Sequence, residues 1–142
     1  MRNFLFRGKR IDNSKWIYGY YALMQRRGEM FAQTVTEADF DAHYIVTTKG
    51  GSYEVDPSSV GQFTGLRDKY NRPIFDGDII EFPDYGNGGT KIGNVEYSEE
   101  DTLYEIIYEE TDCIPLGDSF RSSDIEVIGN IFDNSELIAV VE

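Results

Sequence analysis

The chain has 142 residues, of which 40% are hydrophobic and 14% aromatic, and it carries a formal net charge of −13 at pH 7. This composition is sufficient for a folded core and argues against an intrinsically disordered chain. No apolar run approaches the roughly 20 residues that a membrane-spanning helix needs, and the apolar stretch at the amino terminus is too short for a signal peptide.

The amino-terminal segment predicts a strand at Phe4–Arg7 and a second strand at Lys15–Leu23, joined by turn-forming residues at Asp12–Ser14. The second strand begins with one tryptophan and two tyrosines that alternate along the chain, so their side chains share one face. Its other face is also largely apolar. Such a strand is either central and covered on both sides, or has one face against a partner.

The same segment concentrates positive charge, because residues 1–27 hold seven basic side chains against Asp12 alone. Aromatic rings bordered by cations suit base stacking, which makes the hairpin a candidate surface for single-stranded nucleic acid. Two alternatives are core packing of the rings, and a basic hairpin that folds against an acidic surface within the chain or on another subunit. The candidate surface comprises Arg7, Lys9, Arg10, Trp16, Tyr18 and Tyr20.

The segment up to residue 62 completes a small amino-terminal sheet region, 1–62. His43–Thr48 and Tyr53–Val55 predict a hairpin, because β-branched and aromatic residues flank a glycine-containing turn. The other predicted elements are a turn at Arg26–Gly28, a strand at Met30–Val35, a brief helix at Thr36–Asp41 and a turn at Asp56–Ser59.

The segment 63–82 carries the clearest local signal in the chain. A strand through Phe63 leads into Asp68–Pro73, a stretch of turn-forming residues. Gly77 can adopt a positive φ at little steric cost, which predicts a reversal into the strand Ile79–Phe82.

The glycines at Gly86–Gly89 predict a hairpin tip rather than a phosphate-binding loop. A phosphate-binding loop precedes a helix, whereas the residues that follow here, Ile92–Tyr97, are typical of a strand. Tyr104–Tyr108 and Ile125–Phe132 predict the later strands.

Together these elements predict a mainly β fold of irregular coiled sheets, with residues 63–142 as the second region. Its short, tightly turned strands predict an SH3-like barrel. Asp133–Asn134 predicts the cap of a short carboxy-terminal helix that extends to Val140 and packs on the sheet.

Three stretches of the chain resemble the YopX family, and they occur in the family's order. The central stretch, GLRDKYNRPIFDGDII from Gly65 to Ile80, is similar to the family's central signature. Phe6–Arg10 with Trp16–Tyr20 is similar to the opening of the family, and Glu126–Leu137 is similar to its closing motif. The departures are Ser135, where the motif often has proline, and Phe75–Asp76, where the family tends to carry tyrosine and glutamate.

The resemblance implies a small protein of a bacteriophage or prophage. It also implies an all-β arrangement of coiled sheets that contains an SH3-like barrel. It implies no established activity.

Carboxylate pairs and clusters are the candidate metal ligands. Asp76 and Asp78 lack the further oxygen ligands of a calcium loop, which favours an interpretation as turn residues. The clusters Ser98–Asp101 and Glu109–Asp112 have the composition of an Mg²⁺ site, but no basic or nucleophilic partner lies nearby in sequence. Solvated loops are the favoured interpretation, and we expect no metal or cofactor.

Catalytic chemistry has little support. A nucleophile pair requires Cys113 with His43, the single cysteine and the single histidine. Acidic neighbours raise the pKa of a thiol, which weakens a nucleophile, so we expect a buried or half-buried structural cysteine. One cysteine and one histidine cannot supply the four ligands of a closed zinc site. A single cysteine also cannot form an intrachain disulfide. We therefore expect a non-enzymatic protein of the reducing cytoplasm.

Because catalysis has little support, binding is the function that the sequence favours. From Ile92 onward Arg121 is the only basic residue against fourteen acidic ones, and such a surface repels nucleic-acid phosphates. The leading hypothesis is an acidic module that docks on the basic surface of a host or phage protein. The alternatives are single-stranded nucleic-acid binding through the basic hairpin, and self-assembly in which the hairpin meets the acidic region of another subunit.

Overall fold

The computed structural model describes residues 5–24 and 42–138, and the fold within these ranges is mainly β, which confirms the predicted class. The helix α1 spans Leu116–Ser119. The strands are β1 (Phe6–Lys9), β2 (Trp16–Met24), β3 (Ala42–Val46), β4 (Ser52–Glu54), β5 (Gly61–Arg67), β6 (Pro73–Phe75), β7 (Asp78–Pro83), β8 (Thr90–Ser98), β9 (Leu103–Tyr108), β10 (Asp112–Pro115) and β11 (Glu126–Asn130).

Three predicted elements lie outside the described residues: the turn Arg26–Gly28, the strand Met30–Val35 and the helix Thr36–Asp41. Within the described ranges, no helix has both the length and the apolar character needed to cross a bilayer.

The strands pair in two antiparallel sheets, with the orders β4-β3-β2-β1-β5-β6 and β10-β9-β8-β7-β11. The chain divides into two compact units: an amino-terminal unit, Asn3–Gln62, and a carboxy-terminal unit, Phe63–Glu142 together with Met1–Arg2. Strand β5 belongs to both, because its first two residues pair with β1 and its later residues pair with β6.

In the amino-terminal unit, strand β2 pairs with β1 on one side and with β3 on the other. A Cβ atom at Gly19 would lie 2.2 Å from the carbonyl oxygen of Val46, so only glycine permits this approach of β2 and β3. Strands β3 and β4 form the predicted hairpin, with Val46 opposite Ser52. Ile45, within β3, and Val55, directly after β4, are fully buried.

The core of the carboxy-terminal unit is formed largely by alternate residues of β7, β8 and β9. Aromatic packing extends this core, because the Phe82 ring lies 5.5 Å from the Tyr108 ring and 5.3 Å from the Phe120 ring. The buried residues of the cluster are Ile74, Ile80, Phe82, Val95, Ile106, Leu116 and Ile125.

The predicted SH3-like barrel is not closed within the described residues. Strand β10 forms one edge of the five-stranded sheet and β11 forms the other, and the two do not pair with each other. After β10 the chain forms α1 and a 3₁₀ turn at Ser122–Asp124, and then β11 pairs with β7. This connection carries the chain to the far edge of the sheet, which leaves the sheet open.

Of the predicted carboxy-terminal helix, the structure describes a single 3₁₀ turn at Ser135–Leu137, and the part beyond residue 138 lies outside the described residues. Asn134 occupies the N-cap position of this turn. However, its side-chain oxygen accepts a hydrogen bond from the backbone N–H of Asn130 at 3.2 Å and caps nothing. The α-helix of the described chain, α1, lies earlier, directly after β10.

The predicted reversal at Gly77 is confirmed, with a φ of 91°. The buried carboxylate of Asp78 accepts the backbone N–H of Phe75 at 2.7 Å across this turn. The N–H of Gly77 donates to the carbonyl of Val95, and its carbonyl accepts the N–H of Ile131, both at 2.9 Å. The turn is therefore bonded to β8 and to the chain after β11.

The carboxylate of Asp68 joins the turn at residues 68–73 to β11. Its Oδ1 accepts the backbone N–H groups of Tyr70 and Arg72, both at 2.9 Å. Its Oδ2 accepts the Nε of Arg72 at 2.9 Å and the backbone N–H of Val127 at 3.0 Å. The side chain has no exposed surface, and these four donors replace the water that the carboxylate loses on folding.

Burial of Asp68 by itself raises the pKa of the carboxyl group. The hydrogen bonds from the backbone of Val127, Arg72 and Tyr70, and from the Arg72 side chain, outweigh burial, so the pKa is lower than its ordinary value. A lowered pKa in the folded state stabilises the protein at any pH above the unfolded value of about 4. That stabilisation is lost as the pH falls through the folded pKa.

Asp68→Asn tests this network. The amide cannot accept all four hydrogen bonds, so we expect the variant to lose about 2–4 kcal/mol of unfolding free energy at pH 7. Urea unfolding should also show that the parent protein loses stability below about pH 4, whereas the variant loses less. Asp118→Asn, at an exposed carboxylate, is the control and should behave like the parent. An Asp68→Asn variant as stable as the parent would contradict this account.

Gly93→Ala tests the packing of β8 against β9. A Cβ atom at this position would lie 2.6 Å from the carbonyl oxygen of Ile107 and 2.6 Å from a methyl group of Ile106. We expect a loss of about 1–3 kcal/mol of unfolding free energy, measured by chemical denaturation. In Gly117→Ala, the matched control, the new methyl group meets nothing within 4 Å, and we expect a change within about 0.5 kcal/mol. Equal stabilities of the two variants would refute the steric argument.

Candidate binding surfaces

Strand pairing assembles most of the predicted binding surface on one face of β1 and β2. Arg7 lies opposite Tyr18, and Lys9 lies opposite Trp16. Because alternate residues of a strand share a face, Tyr20 continues the row beyond Tyr18. The structure therefore brings together five of the six residues of the predicted surface.

The cations of this face contact the indole ring of Trp16. The guanidinium carbon of Arg7 lies 4.7 Å from the ring centroid, and the Nζ of Lys9 lies 5.7 Å from it. Both distances fit cation–π attraction. The side chain of Arg7 is buried, and Trp16 is half-buried. The indole face is thus already used by the protein's own cations, which leaves less of it for a nucleic-acid base.

Arg10 lies apart from the other five residues, because it follows Lys9 and so faces the opposite side of the strand. Its guanidinium carbon lies 4.2 Å from the centroid of the Tyr53 ring, and its Nε donates to Oδ1 of Asp12 at 2.9 Å. The hydrogen bond that Arg10 donates to Asp12 raises the pKa of Arg10, and the same bond lowers the pKa of Asp12. Arg10 is therefore already paired within its own hairpin.

The most exposed residues of the predicted surface are its two tyrosines. Tyr18 is 48% exposed and Tyr20 is 59% exposed. Tyr21, which follows them, faces the other side, where its ring lies 5.6 Å from that of Phe6. The hydroxyl of Tyr21 is hydrogen-bonded to Nδ1 of His43, and the two rings stack at 5.8 Å. His43 is thus held by a tyrosine inside the amino-terminal unit.

The two predicted carboxylate clusters lie at opposite ends of β9. The first, Ser98–Asp101, belongs to the turn that enters the strand, and the second, Glu109–Asp112, belongs to the turn that leaves it. A six-residue strand separates its ends by about 20 Å, so the two clusters cannot share one cation. Within the part of the chain that the structure describes, no three His, Cys, Asp or Glu side chains are grouped to hold a metal ion.

Cys113 lies on β10 opposite Ile107 and is exposed, so the prediction of a buried or half-buried cysteine is wrong. An edge strand leaves this side chain open to solvent. The negative charge of Glu105 is the largest cause that raises the pKa of the thiol, with further contributions from burial and from Asp101 and Asp112. The predicted direction of the pKa is thus confirmed, and a raised pKa makes Cys113 a weak nucleophile at neutral pH.

A groove of about 560 Å³ on the carboxy-terminal unit was not predicted from the sequence. It lies where β8 and β9 meet the chain after β11. The sequence feature that indicates this groove is Ile107, an apolar residue at a position where the alternation along β9 predicts a charged one. The groove is lined by Ile92, Asn94, Ile107, Tyr108, Glu109, Glu110, Leu137 and Ile138.

Two solved structures are similar to this chain. One is protein EF1440 from Enterococcus faecalis, with a TM-score of 0.54, 17% identity, and coverage of 98% of this chain and 100% of that chain. The other is protein yopX from Bacillus subtilis, with a TM-score of 0.55, 15% identity, and coverage of 100% of both chains. At these identities the similarity shows a shared fold alone, and no activity is transferred with it.

No curated protein matches the sequence. The family model described as YopX protein matches residues 5–139, which is nearly the whole chain. The sequence resemblance is thereby confirmed, and the chain belongs to the YopX family.

Proposed function

We propose that this protein is a non-enzymatic accessory protein of a bacteriophage or prophage. In this proposal it acts in the cytoplasm of the bacterial host, where its carboxy-terminal region, 63–142, docks on the basic surface of a host or phage protein. The phage setting follows from the family resemblance. The docking role follows from the charge of this region.

The supporting observation is that the acidic side chains of the two β9 turns are exposed. Glu99, Glu100 and Asp101 are exposed in the first turn, and Glu110 and Asp112 are exposed in the second. Fixed carboxylates on a surface attract a positively charged partner and raise its association rate.

The ion pairs within this unit leave most of this charge uncompensated. Among the described residues they engage Asp68, Asp84, Glu109 and Glu126, and none involves the carboxylates of the first β9 turn. A phosphate backbone would be repelled by this surface, which favours a basic protein as the partner.

Capture from a nuclease-treated bacterial lysate tests the docking role. We expect immobilised protein to retain basic, DNA-binding proteins at low salt and to release them as salt rises. The triple variant Glu99→Gln/Glu100→Gln/Asp101→Asn should retain about tenfold less of the same proteins. Lys15→Gln, at an exposed residue of the amino-terminal unit, is the matched control and should retain as much as the parent. Capture that is insensitive to both salt and the triple variant would overturn the proposal.

Single-stranded nucleic-acid binding is the second candidate function, and the exposure of Tyr18 and Tyr20 favours it. Both rings lie on the same face as Arg7, Lys9 and Trp16, so bases could stack along β2 beside positive charge. Arg10 belongs to the predicted surface but faces Tyr53. We therefore propose Tyr18 and Tyr20 as the contact residues of this candidate.

Fluorescence anisotropy with a labelled oligothymidylate tests this candidate. Loss of a stacked base costs about 1–3 kcal/mol, so Tyr18→Ala/Tyr20→Ala should weaken binding about tenfold or more. Lys9→Glu, which reverses a charge on the same face, should also weaken binding at low salt, and Tyr70→Ala, at a tyrosine that is 63% exposed in the other unit, should not change it. An unmodified protein that fails to bind at low salt would eliminate this candidate.

A further inference from the structure

We propose that the groove on the carboxy-terminal unit binds an amphipathic basic segment of the partner protein. Apolar side chains of that segment would contact Ile92, Leu137 and Ile138, while its lysine or arginine side chains would pair with Glu109 and Glu110. This inference rests on the proposed docking function and specifies where and how the partner binds.

The floor of the groove is apolar and open to solvent. Ile92 is 40% exposed, Leu137 is 39% exposed and Ile138 is 36% exposed. Ile107 continues this apolar floor on β9, on the same face of the sheet as Ile92. A volume of about 560 Å³ lies within the usual range of pockets that bind a ligand, and it suits a few apolar side chains of a peptide.

The rim of the groove is acidic. Glu109 and Glu110 are adjacent, and both adopt the left-handed conformation, with φ values of 48° and 71°. Glycine and asparagine adopt this conformation at a lower cost than glutamate does. Two glutamates at these positions therefore make the turn less stable than glycine or asparagine would. They also place two carboxylates beside an apolar groove.

The carboxylates of the rim differ in their pairing. Lys91 pairs with Glu109 at 2.9 Å, and its Nζ lies 5.0 Å from the centroid of the Tyr108 ring. Glu110 forms no ion pair with any residue that the structure describes. The net charge of the rim is thus negative, which selects a cationic occupant over an anionic or neutral one.

The combination of floor and rim determines the chemistry of the occupant. A purely cationic surface would leave the three exposed apolar side chains in water, and a purely apolar ligand would bury the charge of Glu110 without a partner. A segment that alternates apolar and basic side chains satisfies both. A polypeptide offers this alternation in either an extended or a helical conformation.

Two fluorescein-labelled peptides of equal length and charge test the inference on the full chain. One alternates lysine with leucine and the other alternates lysine with serine. We expect the lysine–leucine peptide to bind about tenfold or more tightly than the lysine–serine peptide, because only leucine can fill the groove. Fluorescence anisotropy at low and at high salt measures both affinities.

Two variants locate the binding. Ile92→Ser/Leu137→Ser should lower the affinity for the lysine–leucine peptide to that for the lysine–serine peptide, and leave the latter unchanged. Glu110→Asn should bind both peptides about threefold more weakly, since one carboxylate is lost. Because asparagine tolerates the left-handed conformation better, Glu110→Asn should also melt at or above the temperature of the parent protein. A loss of binding in a protein that is at least as stable cannot come from misfolding.

The peptide affinities distinguish failure of the groove inference from failure of the proposed docking function. If both peptides bind equally and with salt dependence, the groove inference is overturned while the acidic docking function stands. If neither peptide binds at low salt, both are overturned. If light scattering shows a dimer that Ile92→Ser/Leu137→Ser abolishes, the groove belongs to a second copy of the chain and the inference is wrong.

Discussion

The hydrogen bonds that the Asp68 carboxylate accepts are the interactions on which the carboxy-terminal unit depends most. The carboxylate accepts four hydrogen bonds in a site without solvent, and one of its donors, Val127, is 59 residues away in the chain. A buried charge is tolerated only where hydrogen bonds replace its water, so loss of a donor leaves a costly unsatisfied carboxylate. The network thereby determines where β11 lies along the turn at residues 68–73, and β11 in turn pairs with β7.

The residues that carry the family resemblance serve this construction. Asn71 adopts a φ of 63° in the same turn, and Gly77 adopts a φ of 91° in the next one. Asp78 accepts the N–H that closes that turn, and Ile74 is completely buried. The central signature of the YopX family therefore describes how this fold is built. Asp68, Ile74 and Asp78 of this stretch are buried, and they build its two turns and their packing.

Positive and negative charges are used differently in this protein. The cations of the hairpin lie against Trp16, Tyr53 and Asp12, and they strengthen the amino-terminal unit. The carboxylates of the β9 turns extend into solvent instead, and those of the second turn lie next to an apolar groove. This contrast is the reason to favour a basic protein partner over a nucleic acid.

Features that depend on neighbouring residues could be predicted from the sequence: the strands of alternating side chains, the reversal at Gly77, the hairpin of β3 and β4, and the acidic charge. Features that depend on residues far apart in the chain required the three-dimensional fold. It placed Val127 on Asp68, brought Leu137 beside Ile92, and left the sheet open with Cys113 exposed on its edge strand. Alternation and turn chemistry act over a few residues, whereas the pairing of strands far apart in the chain is selected by the packing of the whole unit.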